Sequence, residues 1–164
     1  MSGAPGGPID LATGRPTDRR APFRFSAVAR VWFSDTDAQG IVYYGRFLPY
    51  FDHARREYHR HLDLLDVWQG RREFVMKALA VEYVASARFD DLLEIFTRTI
   101  RIGRTSVTSE YEAYRVVDDT LICRATQTVV LVGGENRRPT PVPEHYREVV
   151  TAFEGAPLDG SRSG

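Results

Sequence analysis

The sequence predicts an α+β domain in which an antiparallel sheet of five strands packs against one long helix. Residues 23–33 alternate apolar and polar side chains, which is typical of a half-buried strand. From about Gly45 to His61, apolar residues recur every three or four positions, which indicates an amphipathic helix. Four more stretches of strand character follow, at 74–85, 92–102, 105–117 and 120–132. One strand, one helix and four strands joined by short turns favour an antiparallel sheet.

The segments between and after these elements carry turn and helix signals. Asp118-Asp119 is predicted to form the turn of a hairpin. A short helical piece is expected at 62–69, where Gly70 ends it, and another at 144–153. Closely spaced prolines argue against any further strand: Pro139, Pro141 and Pro143.

Both ends of the chain are predicted to lie outside the domain, which then spans residues 23–154. Residues 1–22 are rich in Gly, Pro, Ala and charged residues and show no periodicity. Residues 155–164 end in Gly-Ser-Arg-Ser-Gly. Because such compositions cannot bury a core, we expect a disordered N-terminal tail and a flexible C-terminal tail.

Composition narrows the possible function classes. The 164 residues suit one domain, and 22 basic residues balance 22 acidic ones, so no overall positive field indicates nucleic acid or a membrane surface as a partner. Cys123 is the sole cysteine, which excludes an intrachain disulfide. No apolar run is long enough to span a membrane and no signal-peptide core is present, so a cytoplasmic protein is expected.

The stretch from Arg30 to Tyr58 carries the candidate chemistry. A strand leads into a short polar loop that contains Asp35 and Asp37 and turns at Gly40, and a helical pattern begins a few residues later. A helix start offers unpaired N–H groups and a partial positive charge. A carboxylate beside free N–H donors can add water to a carbonyl, because the acid supplies a base or nucleophile and the donors hold the oxyanion.

Each residue of this loop also has a structural explanation. Asp37 could be an Asx-turn or N-cap carboxylate that binds its own loop. Asp35, next to the strand end, is expected mainly to fix the loop. Tyr43 and Tyr44 could be core aromatics rather than residues lining a site. Gly40 is expected to supply a positive φ or a close approach of the substrate.

Other common site types find little support. His53, His59 and His61 lack a ligand spacing, and no Cys/His cluster completes a metal site, so no metal is expected. Cys123 lies in an alternating strand and is predicted to be a buried apolar residue. The sequence contains no Gly-x-Ser-x-Gly elbow and no nucleotide-binding glycine motif, so neither a serine hydrolase nor a nucleotide cofactor is predicted.

The motif Asp-x-Asp-x-x-Gly-Ile-Val-Tyr-Tyr, followed by an aromatic helix that runs into Asp-His-Ala-Arg, resembles the 4-hydroxybenzoyl-CoA thioesterase family of hot-dog proteins, with a match over about 23–153. The resemblance implies a hot-dog fold and hydrolysis of acyl-CoA thioesters, or of acyl groups on acyl carrier protein. It places Asp37 at the catalytic position and Tyr44 where the helix N-terminus faces the thioester carbonyl. Many relatives have His at the position of Tyr44. Pro49 departs from the pattern and indicates a helix whose first turn is loose or begins late.

Arginines in the predicted strand 92–102 and in the turn that follows it have two explanations. Arg98 and Arg101 could lie on a solvated strand face. Arg104, at the turn, could instead bind the phosphates of coenzyme A, since Arg suits phosphate contacts. Arg137 and Arg138 form a weaker candidate for the same task.

We therefore predict a thioester hydrolase with Asp37 and Tyr44 as catalytic residues and Gly40, Tyr43 and Arg104 as substrate-binding residues. Asp37 is either a base or a nucleophile. The alternatives are a hot-dog protein that only binds acyl ligands or assembles, and a hot-dog dehydratase. The strand at 74–85 carries little charge, so we expect two subunits to pair along it in a homodimer, with a homotetramer as the larger assembly.

Overall fold

The computed structural model describes residues 13–68 and 71–159 and confirms the predicted α+β layout. The strands are β1 (Gly14–Pro16), β2 (Phe25–Arg30), β3 (Arg72–Tyr83), β4 (Leu92–Ile102), β5 (Ser106–Arg115), β6 (Thr120–Gly133) and β7 (Arg138–Pro139). The helices are α1 (Phe47–His61) and α2 (Glu144–Glu154), with short 3₁₀-helices at Phe33–Asp35, Tyr44–Arg46 and Leu65–Trp68. Among the described residues, no helix is both long and apolar enough to cross a membrane.

All neighbouring strands of the single sheet are antiparallel. Their order is β1-β2-β4-β5-β6-β3, and β7 pairs with the end of β6. The sheet therefore has seven strands rather than five, because two short strands extend the five that the sequence predicts. The long strand β3 lies at one edge, where its outer backbone groups face no neighbour within the described chain.

The N-terminal segment belongs to the fold, which corrects the predicted boundary at residue 23. β1 pairs with β2 in the register Gly14↔Ala27. The chain then crosses the face of the sheet opposite α1, where the Arg20 guanidinium lies 3.6 Å from the Tyr114 ring centroid and 5.2 Å from that of Phe96. The predicted disordered tail is therefore wrong for residues 13–22, and residues 1–12 lie outside the described part. Strand pairing and cation–π contacts cannot be recognised from composition.

The C-terminal boundary also moves outward. The Ile102 N–H donates to the Leu158 carbonyl at 2.9 Å, and the Leu158 side chain is buried. The predicted flexible tail is thus wrong for residues 155–159, while 160–164 lie outside the described residues. The exclusion of further sheet after residue 138 is likewise wrong, because Pro139 sits in β7. Its missing N–H costs nothing in so short an outer strand.

The helix α1 begins at Phe47, two residues later than predicted. Its first turn is preceded by the 3₁₀-helix Tyr44–Arg46. Pro49 is the third residue of α1, where a backbone N–H would have no intrahelical acceptor, so the proline forfeits no bond. The late start of α1 therefore agrees with the prediction made from Pro49, and the helix accommodates this proline.

The core lies between one face of α1 and the sheet face that it covers, which we call the inner face. The Phe51 ring lies 5.1 Å from the Tyr111 ring, centroid to centroid. The stripe of α1 that is buried here is mostly aromatic: Phe47, Tyr50, Phe51, Ala54 and Tyr58. Cys123 is buried in β6, as predicted, and burial raises the pKa of its thiol to about 12.

His59 forms the centre of a buried polar cluster near the end of α1. The Trp68 indole N–H donates to His59 Nδ1 at 2.8 Å. Because an indole can only donate, Nε2 carries the ring proton and donates to the Tyr146 hydroxyl at 2.9 Å. Burial, assisted by the positive charge of Arg55, lowers the pKa of His59 to about 3.

Removal of residues 1–21 is expected to lower the free energy of unfolding by about 2 kcal/mol, because it strips β1 and the cover over Phe96. Thermal unfolding should show a melting temperature several degrees lower. A variant that lacks only residues 1–12 keeps β1 and is the matched control. Equal melting temperatures for the two truncations would contradict the structural role of residues 13–21.

Acidification is expected to destabilise the protein through His59. The pKa of His59 is about 3 in the folded state and near 6.5 in the unfolded state. The stability that neutral His59 contributes to the folded state is therefore fully present above pH 6.5 and is lost as the pH falls toward 3. At pH 5 the loss should be about 2 kcal/mol. Urea unfolding at pH 7.5 and at pH 5 measures this difference in the free energy of unfolding. His59→Gln can keep one acceptor and one donor without titrating and should remove the loss, whereas the exposed His145→Gln should not.

Candidate active site

The loop between β2 and α1 is closed by its own backbone hydrogen bonds. Thr36 and Val42 form an isolated antiparallel bridge. The Asp37 N–H donates to the Ile41 carbonyl at 3.0 Å, and the Gly40 N–H donates to the Asp37 carbonyl at 2.9 Å. Gly40 has φ of +74°, which confirms the predicted positive φ at this turn. The loop is therefore a small, defined hairpin.

Asp35 fixes this hairpin to the helix, as the sequence predicts. Its Oδ2 accepts the Trp32 N–H at 3.1 Å and also accepts the Tyr50 hydroxyl. Burial, together with the hydrogen bond to Asp35, raises the pKa of Tyr50 well above its usual range. The phenol therefore stays protonated and keeps donating to the carboxylate at neutral pH.

Asp37 is partly exposed on the same hairpin. Its Oδ1 accepts the Gln39 N–H at 2.8 Å, which is the Asx-turn contact that its structural explanation requires. For Oδ2, the described residues provide no hydrogen-bond donor. One carboxylate oxygen therefore orders the loop, and the other is free to act on a bound molecule.

Two backbone donors lie at the start of the helical segment. Within the described chain, the N–H groups of Tyr44 and Gly45 donate to no backbone or side-chain acceptor. No side chain caps the start of α1, where Arg46 is the N-cap residue. The Tyr44 carbonyl accepts the Tyr83 hydroxyl at 2.9 Å, so the edge strand β3 supports this turn. Two free N–H groups at a helix start suit an oxyanion.

Tyr43 and Tyr44 are exposed, at 43% and 62%, which excludes a core role for them in a single subunit. Their ring centroids are 4.2 Å apart. Interaction with the Tyr44 phenol raises the pKa of Tyr43, and the negative charge of Asp37 contributes in the same direction. The hairpin thus places Asp37 within electrostatic reach of the tyrosines that lead into α1.

Arg104 does not lie near this loop within one subunit. Asp37 follows β2, whose last residue Arg30 pairs with Leu92 at the start of β4, whereas Arg104 follows the end of β4. The length of β4, about 33 Å, separates the two ends of the sheet. The sequence could not reveal this, because the strand pairing that sets the distance is a long-range property.

Two of the other arginine candidates, Arg98 and Arg137, have structural partners. Arg98 Nε donates to Glu110 at 2.7 Å, and the Arg98 guanidinium stacks over Phe23 at 5.6 Å. Arg137 pairs with Glu73. Arg98 and Glu110 also line a surface cleft of about 380 Å³ on the outer face of the sheet, away from the Asp37 hairpin.

Sequence reasoning missed Tyr83 as a component of this region. Besides its bond to Tyr44, its ring lies 5.9 Å from that of Phe47. The only signal was its position in an alternating strand, which does not reveal which element it faces. In the part of the chain that is described, no group of three or more His, Cys, Asp or Glu side chains is placed to hold a metal ion.

Comparison with known proteins identifies relatives among the thioesterases. The thioesterase-like superfamily model matches residues 31–150. The chain is 33% identical over 132 residues to an acyl-CoA thioesterase, YbgC, of Haemophilus influenzae, which covers 79% of this chain and 93% of that protein. It is 33% identical over 127 residues to the acyl-CoA thioester hydrolase YbgC of Escherichia coli O6:H1, with 76% and 92% covered.

Solved structures agree with this result. A thioesterase from Thermus thermophilus, complexed with coenzyme A and Zn, has a TM-score of 0.69 and 29% identity, and covers 80% of this chain and 95% of its own. A thioesterase superfamily protein from Jannaschia sp. CCS1 has a TM-score of 0.74 and 24% identity, with 84% and 87% covered. The second likeness concerns the fold alone.

Proposed function

The chain belongs to the thioesterase-like superfamily and is an acyl-CoA thioesterase, and we propose that Asp37 and the N–H groups of Tyr44 and Gly45 form its catalytic centre. The observation that carries the proposal is the pairing of a partly exposed carboxylate with two unpartnered N–H donors on one short hairpin-to-helix segment. Such an arrangement stabilises charge that develops on a carbonyl oxygen during acyl transfer.

The reaction then proceeds as follows. The thioester carbonyl oxygen accepts hydrogen bonds from the Tyr44 and Gly45 N–H groups, which stabilise its charge when the carbonyl carbon is attacked. Asp37 either takes a proton from the attacking water or attacks the carbon itself and forms an anhydride that water then cleaves. In both cases the C–S bond breaks, the thiolate leaves and takes up a proton, and the free acid is released.

Substrate binding is proposed to involve Gly40 and Tyr43 on the same hairpin. The space around Gly40 is open, because a Cβ placed on this residue would meet no other atom within 4 Å. Arg104 lies at the end of the sheet opposite to Asp37 of the same subunit. It can therefore bind the phosphates of coenzyme A only when the coenzyme occupies the site of a neighbouring subunit. The acyl group is carried by coenzyme A, or by acyl carrier protein as a second carrier.

The assembly is proposed to be at least a homodimer, with a homotetramer as the larger form. β3 is an unpaired edge within the described chain, and exposed apolar side chains lie along it and just beyond its end: Met76, Leu79, Tyr83 and Val84. Such an edge favours pairing with a second copy of itself. Because Tyr83 also donates to Tyr44, this edge adjoins the catalytic hairpin, and each site would draw on both subunits.

Asp37→Asn is expected to lower kcat by roughly 10²–10⁴, because the amide keeps the size of the side chain but lacks its basicity. Release of free thiol from a panel of aryl-CoA and fatty acyl-CoA thioesters measures the rate. Melting temperature and substrate affinity should be preserved.

Asp35→Asn removes one charge from the same loop and is the matched control, with a smaller rate loss that arises from loop order. If Asp37→Asn retained kcat within about threefold of wild type on the best substrate, Asp37 would be a turn residue only. Binding of thioesters without turnover by the wild type would favour an acyl-binding protein.

Light scattering is expected to give a mass of at least twice the 18.6 kDa of one chain at micromolar concentration. Met76→Glu adds a charge to the β3 edge and should shift the mass toward that of the monomer. Val117→Glu, at an exposed apolar position in the turn after β5, is the control and should leave the mass unchanged. A stable wild-type monomer would refute edge pairing.

A further inference from the structure

Three polar side chains lie buried between α1 and the sheet with polar atoms that have no partner among the described residues. These are Nε and Nη1 of Arg55, the hydroxyl of Tyr111 and both amide atoms of Gln127. Their exposed fractions are 8%, 1% and 1%. Because buried polar groups are almost always hydrogen-bonded, several orphans in one place indicate that an occupant is missing.

The three side chains belong to α1 and to the inner face of the sheet that it covers, and we call the region between them the α1 chamber. Tyr111 lies under Phe51, and Arg55 follows Phe51 by one helical turn on the same buried face. Gln127 pairs with Ser109, two residues before Tyr111, so it points to the same inner face of the sheet. α1 and β5 run in opposite directions, since Phe47 of α1 contacts Tyr83 and His59 contacts Phe74 at the other end of β3. From Phe51, which lies over Tyr111, the helix therefore continues toward the row of Ser109 and Gln127.

Electrostatics agree with this placement. Burial raises the pKa of Tyr111 to about 12, while the positive charge of Arg55 acts in the opposite direction. Arg55 Nη2 donates to Asp52 at 3.1 Å, but the Asp52 side chain is 53% exposed, so water screens that pair.

The remaining titratable groups near the chamber do not cancel its charge. His59 is neutral at physiological pH, and the carboxylate of Glu154 is engaged by the Tyr58 hydroxyl and the Thr99 N–H. Among the orphan atoms, the guanidinium and amide N–H groups outnumber the available acceptors. The chamber is therefore cationic and rich in donors.

The inner side of the edge strand β3 extends from the row of Gln127 to the catalytic hairpin. Gln127 pairs with Leu79 of the edge strand β3, and Tyr83, four residues further along the same face, donates to Tyr44. Leu79 and Tyr83 are 37% and 46% exposed. A helical rise of 1.5 Å per residue places the Cα atoms of Tyr44 and Arg55 about 16 Å apart along the helix axis. The Arg55 side chain leans toward the helix N-terminus by about one turn, so its guanidinium lies about 11 Å from the level of Tyr44.

Resting on the proposed function, we propose that the α1 chamber binds the terminal carboxylate of the acyl group, so that the preferred substrates are ω-carboxyacyl thioesters. A carboxylate offers only acceptors and a negative charge, which complements the free donors of Arg55 and Gln127. With carbon–carbon bonds of about 1.5 Å in a zigzag, the remaining span of about 11 Å suits an acyl chain of about eight carbons.

The test compares the coenzyme A monothioester of octanedioic acid with octanoyl-CoA. Wild-type kcat/KM should be at least tenfold higher for the carboxylated substrate. Arg55→Met and Gln127→Leu should each lower the ratio of the two kcat/KM values to about one. Arg55→Lys should retain part of the preference, because the charge remains. Arg60→Met removes an exposed arginine from the same helix and should change neither rate.

Equal hydrolysis of both substrates, or a preference for octanoyl-CoA, would overturn the proposal and show that water fills the chamber. If turnover still depended on Asp37 in that case, the proposed function would remain intact. A second measurement does not need turnover. Octanedioate should raise the melting temperature of the wild type more than octanoate does, and Gln127→Leu should lose that difference. Equal shifts would overturn the proposal even if neither thioester were hydrolysed.

Discussion

Burial of the aromatic face of α1 on the inner face of the sheet is the interaction on which the rest of the structure depends. The contact between Phe51 and Tyr111 lies at its centre, and both rings are almost fully buried. Large aromatic rings bury much apolar area with few rotatable bonds, so they fix the position of a helix well. Once α1 is seated, the position of its first turn beside the edge strand follows.

The proposed catalytic segment lies just before the part of the helix that this core buries. Phe47 is buried, whereas Tyr44 and Gly45, which precede it, have N–H groups without a partner in the described chain. Asp35 ties the hairpin to Tyr50 on the buried side, so the neighbouring Asp37 can remain partly exposed without loss of order. The two acids of the motif therefore differ in their contacts: Asp35 binds the helix, whereas Asp37 binds only its own loop and is the acid proposed to act in catalysis.

The inner face is not uniformly apolar, and its polar side chains are of two kinds: some are fully hydrogen-bonded and others are not. His59 is fully bonded between Trp68 and Tyr146, and such a satisfied network stabilises a single arrangement. Arg55 and Gln127 instead retain atoms unpaired within the described residues, which costs stability unless something binds there. The proposed binding of a carboxylate by these groups would offset this cost.

The sequence by itself determined the long helix, the five longer strands and the turn at Gly40 after Asp37, because helical period, strand alternation and turn residues are local properties. It also indicated the superfamily, since the motif is contiguous in the chain. Only the tertiary structure decided that residues 13–22 join the fold, that Arg104 lies at the far end from Asp37, and that Tyr83 meets Tyr44. These features depend on strand register and on packing between residues distant in sequence, to which composition and spacing are insensitive.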